Sequence, residues 1–367
     1  MKNNYLKFII LLLFICLSFE YNTQAQSINT NALDAYWKLT DKLRLGDTLS
    51  RDDWKKFLAL DGNKQYIANQ GFDNDFLERY RKWMQMVYMP KYDAQLIKMM
   101  QHPFDYWIAY KINQYKAHEI DLRKYESSLH NAAYLDSMYK NAWVWLPKRL
   151  QGKSTRTKLF FIGIDNDAIV NGDTIVFTTW SAYNQDKLKY GSLGGHELHH
   201  VLRQPVGFNS VKTYDEGIVS ILSQVLNEGS ADMVDKKLTF DTTKKDIPLE
   251  YHYDDILLSH TDTIIRQIDS AIMATATSKG QQFTTARQYR KLTNYSSGHN
   301  PGYHMADIIV RNGYKNELIE HIQSPFYFVF LYNKAAKKDK QHPPVFSTIT
   351  INYLKQLEKL YWVKPKP

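Results

Sequence analysis

Cysteine is almost absent: Cys16 is the one cysteine in 367 residues. A single thiol excludes an intramolecular disulfide and a thiolate metal cage, so any metal site must be built from histidine and carboxylate. Long apolar runs are scarce as well. The run from Phe8 to Phe19 falls short of the roughly 18 apolar residues that cross a bilayer. There is no internal repeat and no low-complexity linker. Charge of one sign is not concentrated. Lys and Arg number 47 against 38 Asp and Glu, a net +9 spread over the whole length. The basic tracts Lys334–Lys340 and Lys364–Lys366 are short and read as solvated faces or tail, so no nucleic-acid partner is expected. Apolar residues at 44% and charged residues at 23% exclude a disordered, collagenous or multi-span membrane protein.

What is present starts with the N-terminus. Lys2 and Lys7 precede the apolar run, and the small Ala25 stands within a polar stretch. A basic start, a short apolar centre and a small residue make a signal peptide over residues 1–25, cleaved after Ala25. Bulky Ile15 before Cys16 argues against a lipidation signal, which resembles a small residue there. Cleavage removes Lys2, Lys7, Glu20 and Cys16, leaving a cysteine-free chain of net charge +8. The expected protein is exported, periplasmic or extracellular, with no stable membrane insertion after cleavage.

From Asn31 to Leu150 apolar residues recur at three and four, as in Phe76, Leu77, Tyr80, Met84 and Val87, which predicts helices. Asp73, with Asp75 and Glu78 behind it, marks a helix start. Trp37, Trp54, Trp83, Trp107, Trp143 and Trp145 read as helix core packing, although a sugar or peptide groove also fits. Near residue 155 the period changes. Lys158–Ile164 and Asp173–Thr179 read as strands, with a turn at Asn171-Gly172. Helical patterns return over Leu193–Lys237, Thr261–Ala276, Tyr303–Asn312, Lys315–Gln323 and Phe326–Lys337, and Phe240–Asp254 reads as a long loop. The fold class is α+β, mostly α: a helical N-terminal region over 26–153 and a second domain over 154–367, with a small sheet and helices.

The informative segment is Gly194-Gly195-His196-Glu197-Leu198-His199-His200-Val201-Leu202, which holds H-E-x-x-H. Four helical residues turn through about 400° and rise about 6 Å. Both His196 and His200 therefore leave one face and can reach one metal at about 2.0–2.1 Å. Glu197 stands beside that metal, where it can hold a water. His199 points to another face, as a neighbour of the site. The next helical stretch, Gly217–Lys237, carries Asn227-Glu228-Gly229-Ser230-Ala231-Asp232. Glu228 and Asp232 share a face among apolar neighbours. Glu228 suits a third metal ligand, and Asp232 suits the acceptor for the free ring N–H of His196. Glu216 is a rival ligand, but its place at the helix start, like that of Asp215, suits capping. Gly229 costs about 1 kcal/mol against Ala inside a helix. That cost predicts close approach of another backbone, with the metal helix as the expected neighbour.

H-E-L-H-H followed by N-E-G-S-A-D resembles a gluzincin metallopeptidase, in particular an uncharacterised bacterial family of zinc-dependent peptidases with a zincin-like core. The similarity takes in Gly302-Tyr303-His304-Met305-Ala306-Asp307-Ile308 and the Phe326–Lys337 segment. It covers roughly residues 150–340 and the N-terminal helices only loosely. His200 and Glu228 stand further apart in sequence than in the thermolysin-type pattern. The resemblance implies a zincin-like metallopeptidase domain over 154–367, with Zn²⁺ as cofactor and a peptide or protein as substrate. It implies Glu197 as general base and a Tyr or His opposite it that stabilises the oxyanion: Tyr303, with His304 or His299 in reserve. The strand Asp173–Thr179 is expected to pair with an extended substrate. The alternative is a secreted binding protein with a structural or vestigial zinc site, which would have no need of Glu197.

Overall fold

Apolar periodicity sets most of the helices, and side-chain caps fix the starts of some of them. The computed structural model describes residues 26–363 apart from 27, 155, 166, 205–206, 241–247, 250–257, 284 and 294–295. Segment 1–25 and most of the loop expected over Phe240–Asp254 lie outside the described residues. The N-terminal part holds α1 (Asn31–Arg44), α2 (Arg51–Leu58), α3 (Asp61–Gln70), α4 (Asn74–Tyr88), α5 (Asp93–Met99), α6 (Trp107–Ala117), α7 (Glu119–Leu129) and α8 (Ala132–Trp143). Asp73 caps α4 by accepting the Phe76 N–H at 2.7 Å. The buried stripe of that helix includes Leu77, Tyr80, Met84 and Val87, one face at helical spacing.

The sheet has four strands in the order β1-β2-β4-β3: β1 (Ile28–Asn29), β2 (Lys158–Ile162), β3 (Ala168–Asn171) and β4 (Thr174–Thr178). β2 runs parallel to β1 and to β4, and β3 folds back antiparallel on β4 through Asn171-Gly172. This is the α+β, mostly helical class expected from the sequence. β3 is an addition: four residues are too short to show a period of two. Its place at the sheet edge corrects the expectation for Asp173–Thr179. β4 is hydrogen-bonded on both sides, so the open backbone edge on that side belongs to β3.

After the sheet come α9 (Thr179–Leu188), α10 (Ser192–Arg203), α11 (Glu216–Thr239), α12 (Thr261–Thr277), α13 (Ala286–Leu292), α14 (His299–Arg311), α15 (Lys315–Glu320), α16 (Pro325–Ala336) and α17 (Thr348–Tyr361). The stretch expected to be helical over Leu193–Lys237 is two helices. α10 ends at Gln204, whose φ of 52° lies in the left-handed region, and α11 returns alongside it. Two apolar cores result. The first runs from Ala32 to Leu202 and joins the N-terminal helices, the sheet and α10. The second runs from Ile218 to Tyr361 and is built on α11, α12, α14, α16 and α17. Residue 153 falls within the span of the first core. The H-E-x-x-H segment sits where the two cores meet.

α11 and α14 cross at two glycines. A Cβ on Gly229 would lie 2.3 Å from the carbonyl carbon of Gly302, and a Cβ on Gly302 would lie 2.3 Å from the Val225 carbonyl oxygen. The backbone that approaches Gly229 is therefore α14, not α10, the helix of the H-E-x-x-H segment and the expected neighbour. Helix propensity alone would favour Ala at both positions by about 1 kcal/mol; the backbone contact outweighs it. Gly302→Ala is expected to lower unfolding free energy by about 1–3 kcal/mol, the usual cost of overpacking. Gly152→Ala, where an added Cβ meets nothing within 4 Å, serves as the neutral control. Urea unfolding of both variants checks the difference; equal midpoints would refute the close crossing.

Candidate metal centre

α10 buries His196, Glu197 and His199 almost completely and leaves His200 at the edge of a cleft. Their helical spacing brings the Nε2 atoms of His196 and His200 to 3.1 Å. From α11, Glu228 aims Oε2 at the same point, 3.3 Å from His200 Nε2 and 4.0 Å from His196 Nε2. Tetrahedral zinc with ligand bonds of about 2.0–2.1 Å sets its ligand atoms about 3.3 Å apart. The triangle of 3.1, 3.3 and 4.0 Å therefore has the size of one face of such a site. Two imidazole nitrogens and one carboxylate oxygen also form a donor set that zinc takes.

Asp235 orients His196. Its Oδ1 accepts from Nδ1 at 2.9 Å, which leaves the Nε2 lone pair of the neutral ring facing Glu228 and His200. The sequence reading gave this place to Asp232, but Asp232 Oδ1 is 3.7 Å from His196 Nδ1. Asp232 instead accepts from His299 Nδ1, at 2.9 and 3.2 Å from its two oxygens. The reason is helical phase. Asp232 and Asp235 follow Glu228 by four and seven residues, so all three share one face of α11. α14 docks against this face near Asp232, and α10 near Asp235. The i, i+7 spacing of Glu228 and Asp235 is the signal that could have found the second acid.

His299, the first residue of α14, enters the cluster with Nε2 3.4 Å from Glu228 Oε2. His196, Glu228 and His299 also form a group whose ligand atoms lie within 4.8 Å of one another. Tyr303 and His304 are not among the residues that line the cleft. The Tyr303 ring packs on Phe240 at 4.8 Å between centroids, one helical turn beyond His299. His304 pairs with Asp262 at 3.2 Å. Asp215 accepts the hydroxyls of Tyr353 and Tyr361, fastening α17 to the start of α11. His199 faces the Trp145 carbonyl from the far side of α10 at 3.4 Å.

Charge is matched group by group. Burial disfavours the imidazolium of His196, but Asp235, Glu197 and Asp232 together outweigh it and raise its pKa to about 10. Burial likewise lowers His299, and Asp232 with Glu228 overcomes it, to about 9. Burial raises Glu228, yet His200, His299 and His196 hold it well below the usual carboxylate range. Glu197 differs. Burial lifts its pKa above the ordinary value, and His196 and His200 offset that only in part. A proton acceptor with a raised pKa beside a cluster of metal-type donors is an arrangement suited to acid–base chemistry.

The cluster floors a cleft of about 840 Å³. Ala168, Ile169 and Val170 of β3, Asn69 and Gln70 at the end of α3, and Lys236 of α11 line it as well. Elements that carry the two apolar cores thus line the same cleft. Among the described residues no helix is long and apolar enough to cross a membrane.

No curated protein and no solved structure matches this chain at a significant level. A family model matches residues 54–341, which takes in most of the N-terminal helices as well as the cluster. The chain belongs to the family described as "Putative zinc dependent peptidase (DUF5700)".

Proposed function

We propose that this chain is an exported peptidase that uses zinc held by His196, His200 and Glu228, with Glu197 as general base. The observation that carries the reading is the 3.1 Å approach of two imidazole Nε2 atoms beside Glu228 Oε2. Two imidazole nitrogens and a carboxylate oxygen meet there, a donor set of the kind zinc takes once the protons they share have left. Family membership supports zinc and a peptide substrate. Zinc bound at this point supplies a Lewis acid that polarises a carbonyl and lowers the pKa of water from 15.7 toward about 7.

The protein groups do the rest. Asp235 holds His196 in the tautomer that keeps Nε2 free. Glu197, buried and lining the cleft, accepts the proton of the attacking water and passes it to the leaving amine. His299, its Nδ1 proton held by Asp232, offers Nε2–H to the carbonyl oxygen as negative charge develops. This gives His299 the role first expected of Tyr303. The open edge of β3 offers unpaired backbone groups to an extended peptide lying in the cleft. Export rests on the basic start, the short apolar centre and Ala25 of segment 1–25. A binding protein with a vestigial site has no use for a carboxylate in the position of Glu197.

Glu197→Gln is expected to keep stoichiometric zinc and lose about 10²–10⁴-fold in peptide hydrolysis. His299→Gln is expected to keep zinc and lose about 10²–10³-fold in kcat. Metal analysis and a peptide-library digest with and without chelator measure both. Unchanged turnover in Glu197→Gln sinks the mechanism, and no turnover in the zinc-loaded wild type favours the binding protein.

Zinc uptake should also release protons. With a pKa of about 10 in the metal-free chain, His196 carries a proton at neutral pH that must leave before Nε2 can ligate. Affinity should therefore fall as pH falls, by about tenfold per unit for each proton displaced. Calorimetric titration with zinc at pH 7 in two buffers of different ionisation enthalpy is expected to show about one or more protons released per metal. A buffer-independent heat would rule this out.

A further inference from the structure

Arg203, the last residue of α10, is a buried cation: only 4% of its surface is exposed. Among the described residues no carboxylate lies within ion-pair distance of it. Its Nη2 donates instead to Asn227 Oδ1 at 2.8 Å, and its Nη1 to the Ile322 carbonyl at 3.3 Å. Gln323 holds the backbone at this point, with Nε2 donating to the carbonyls of Arg203 and Gln204 at 3.0 and 2.9 Å. Asn227 passes the contact on: its Nδ2 donates to Glu228 Oε1 at 3.0 Å.

Guanidinium has donors only, and an ionised carboxylate has acceptors only. Between them the Asn227 amide has one orientation that satisfies both neighbours, with oxygen toward Arg203 and nitrogen toward Glu228. Flipping the amide would set N–H against N–H at one end and oxygen against oxygen at the other. Glu228 is thereby held by Oε1, and Oε2 is the atom left to face His200, His299 and His196.

We propose that Arg203 and Asn227 are positioning residues that lock the Glu228 carboxylate in the orientation that serves the metal. The inference rests on the zinc reading above. It explains why a cation is buried with a neutral amide as its side-chain partner: the charge on α10, the helix that bears both histidines, orients the ligand on α11 through one rigid amide. The relay ties the relative placement of the two helices to the aim of Glu228 Oε2.

Two variants of the full chain test this. Asn227→Ala removes the donor to Glu228 and is expected to weaken zinc binding by about 10- to 100-fold in chelator competition. Asn227→Asp keeps an acceptor for Arg203, so it preserves the fold even if Asn227→Ala does not, but it cannot donate to an ionised Glu228. Its cobalt(II)-substituted form is expected to show shifted visible bands relative to wild type, with the circular dichroism of the metal-free chain unchanged. An Asn227→Ala chain that binds zinc as tightly as wild type, or an Asn227→Asp cobalt spectrum superimposable on wild type, overturns the positioning role. A wild-type chain that takes up neither zinc nor cobalt overturns the zinc reading itself, which separates the two failures.

Discussion

Three carboxylates within eight residues of one helix, Glu228, Asp232 and Asp235, are the constraint on which the rest of the site depends. Asp232 and Asp235 are buried and Glu228 is nearly so. Taking an ionised carboxylate out of water costs several kcal/mol unless it is paired and hydrogen-bonded. α11 can carry this acidic face inside the protein only because imidazoles meet it: His200 and His299 at Glu228, His299 at Asp232 and His196 at Asp235. Satisfying the face therefore dictates where α10 and α14 must lie. The glycine crossing of α11 and α14 supplies the close approach that one of those contacts requires.

The same arrangement divides the electrostatics usefully. Glu228 and Asp235 sit among imidazoles, which hold their pKa values below the usual range. Glu197 faces the same imidazoles, but burial and the nearby acids Glu228 and Asp167 push it up. Carboxylates that line one cleft are thus pushed in opposite directions by their surroundings, which suits the ligand role proposed for Glu228 and the base role proposed for Glu197. The cleft around them is lined by β3 and the end of α3 from the first half of the chain and by α11 from the second. The family match begins at residue 54, so most of the N-terminal helices belong to the same family unit as the site they help to enclose.

Much of this was legible from local spacing. His196 and His200 at i, i+4 had to share a face, and Asp73 had to start a helix, because 3.6 residues per turn leaves little choice. Glu228 stood out as an acid in an apolar helix. Other features were hidden for identifiable reasons. β3 is too short for its alternation to register. Tyr303 and His299 lie on neighbouring turns of one helix, and a sequence cannot show which turn reaches the cleft.

The sequence by itself determined the mostly helical class with its small sheet, the histidine–carboxylate chemistry of any metal site and the helix faces that carry it. Those follow from composition and from the period of each element. Only the tertiary structure decided which acid serves which histidine, which strand is the open edge and which backbone Gly229 meets. Such facts depend on the docking of one helix against another. Helical phase fixes a side chain's direction to within a face, while a hydrogen bond requires a partner within about 3 Å along that direction. α10 and α14 are about a hundred residues apart in the chain, and only their common packing on α11 brings His196 and His299 to the same carboxylates.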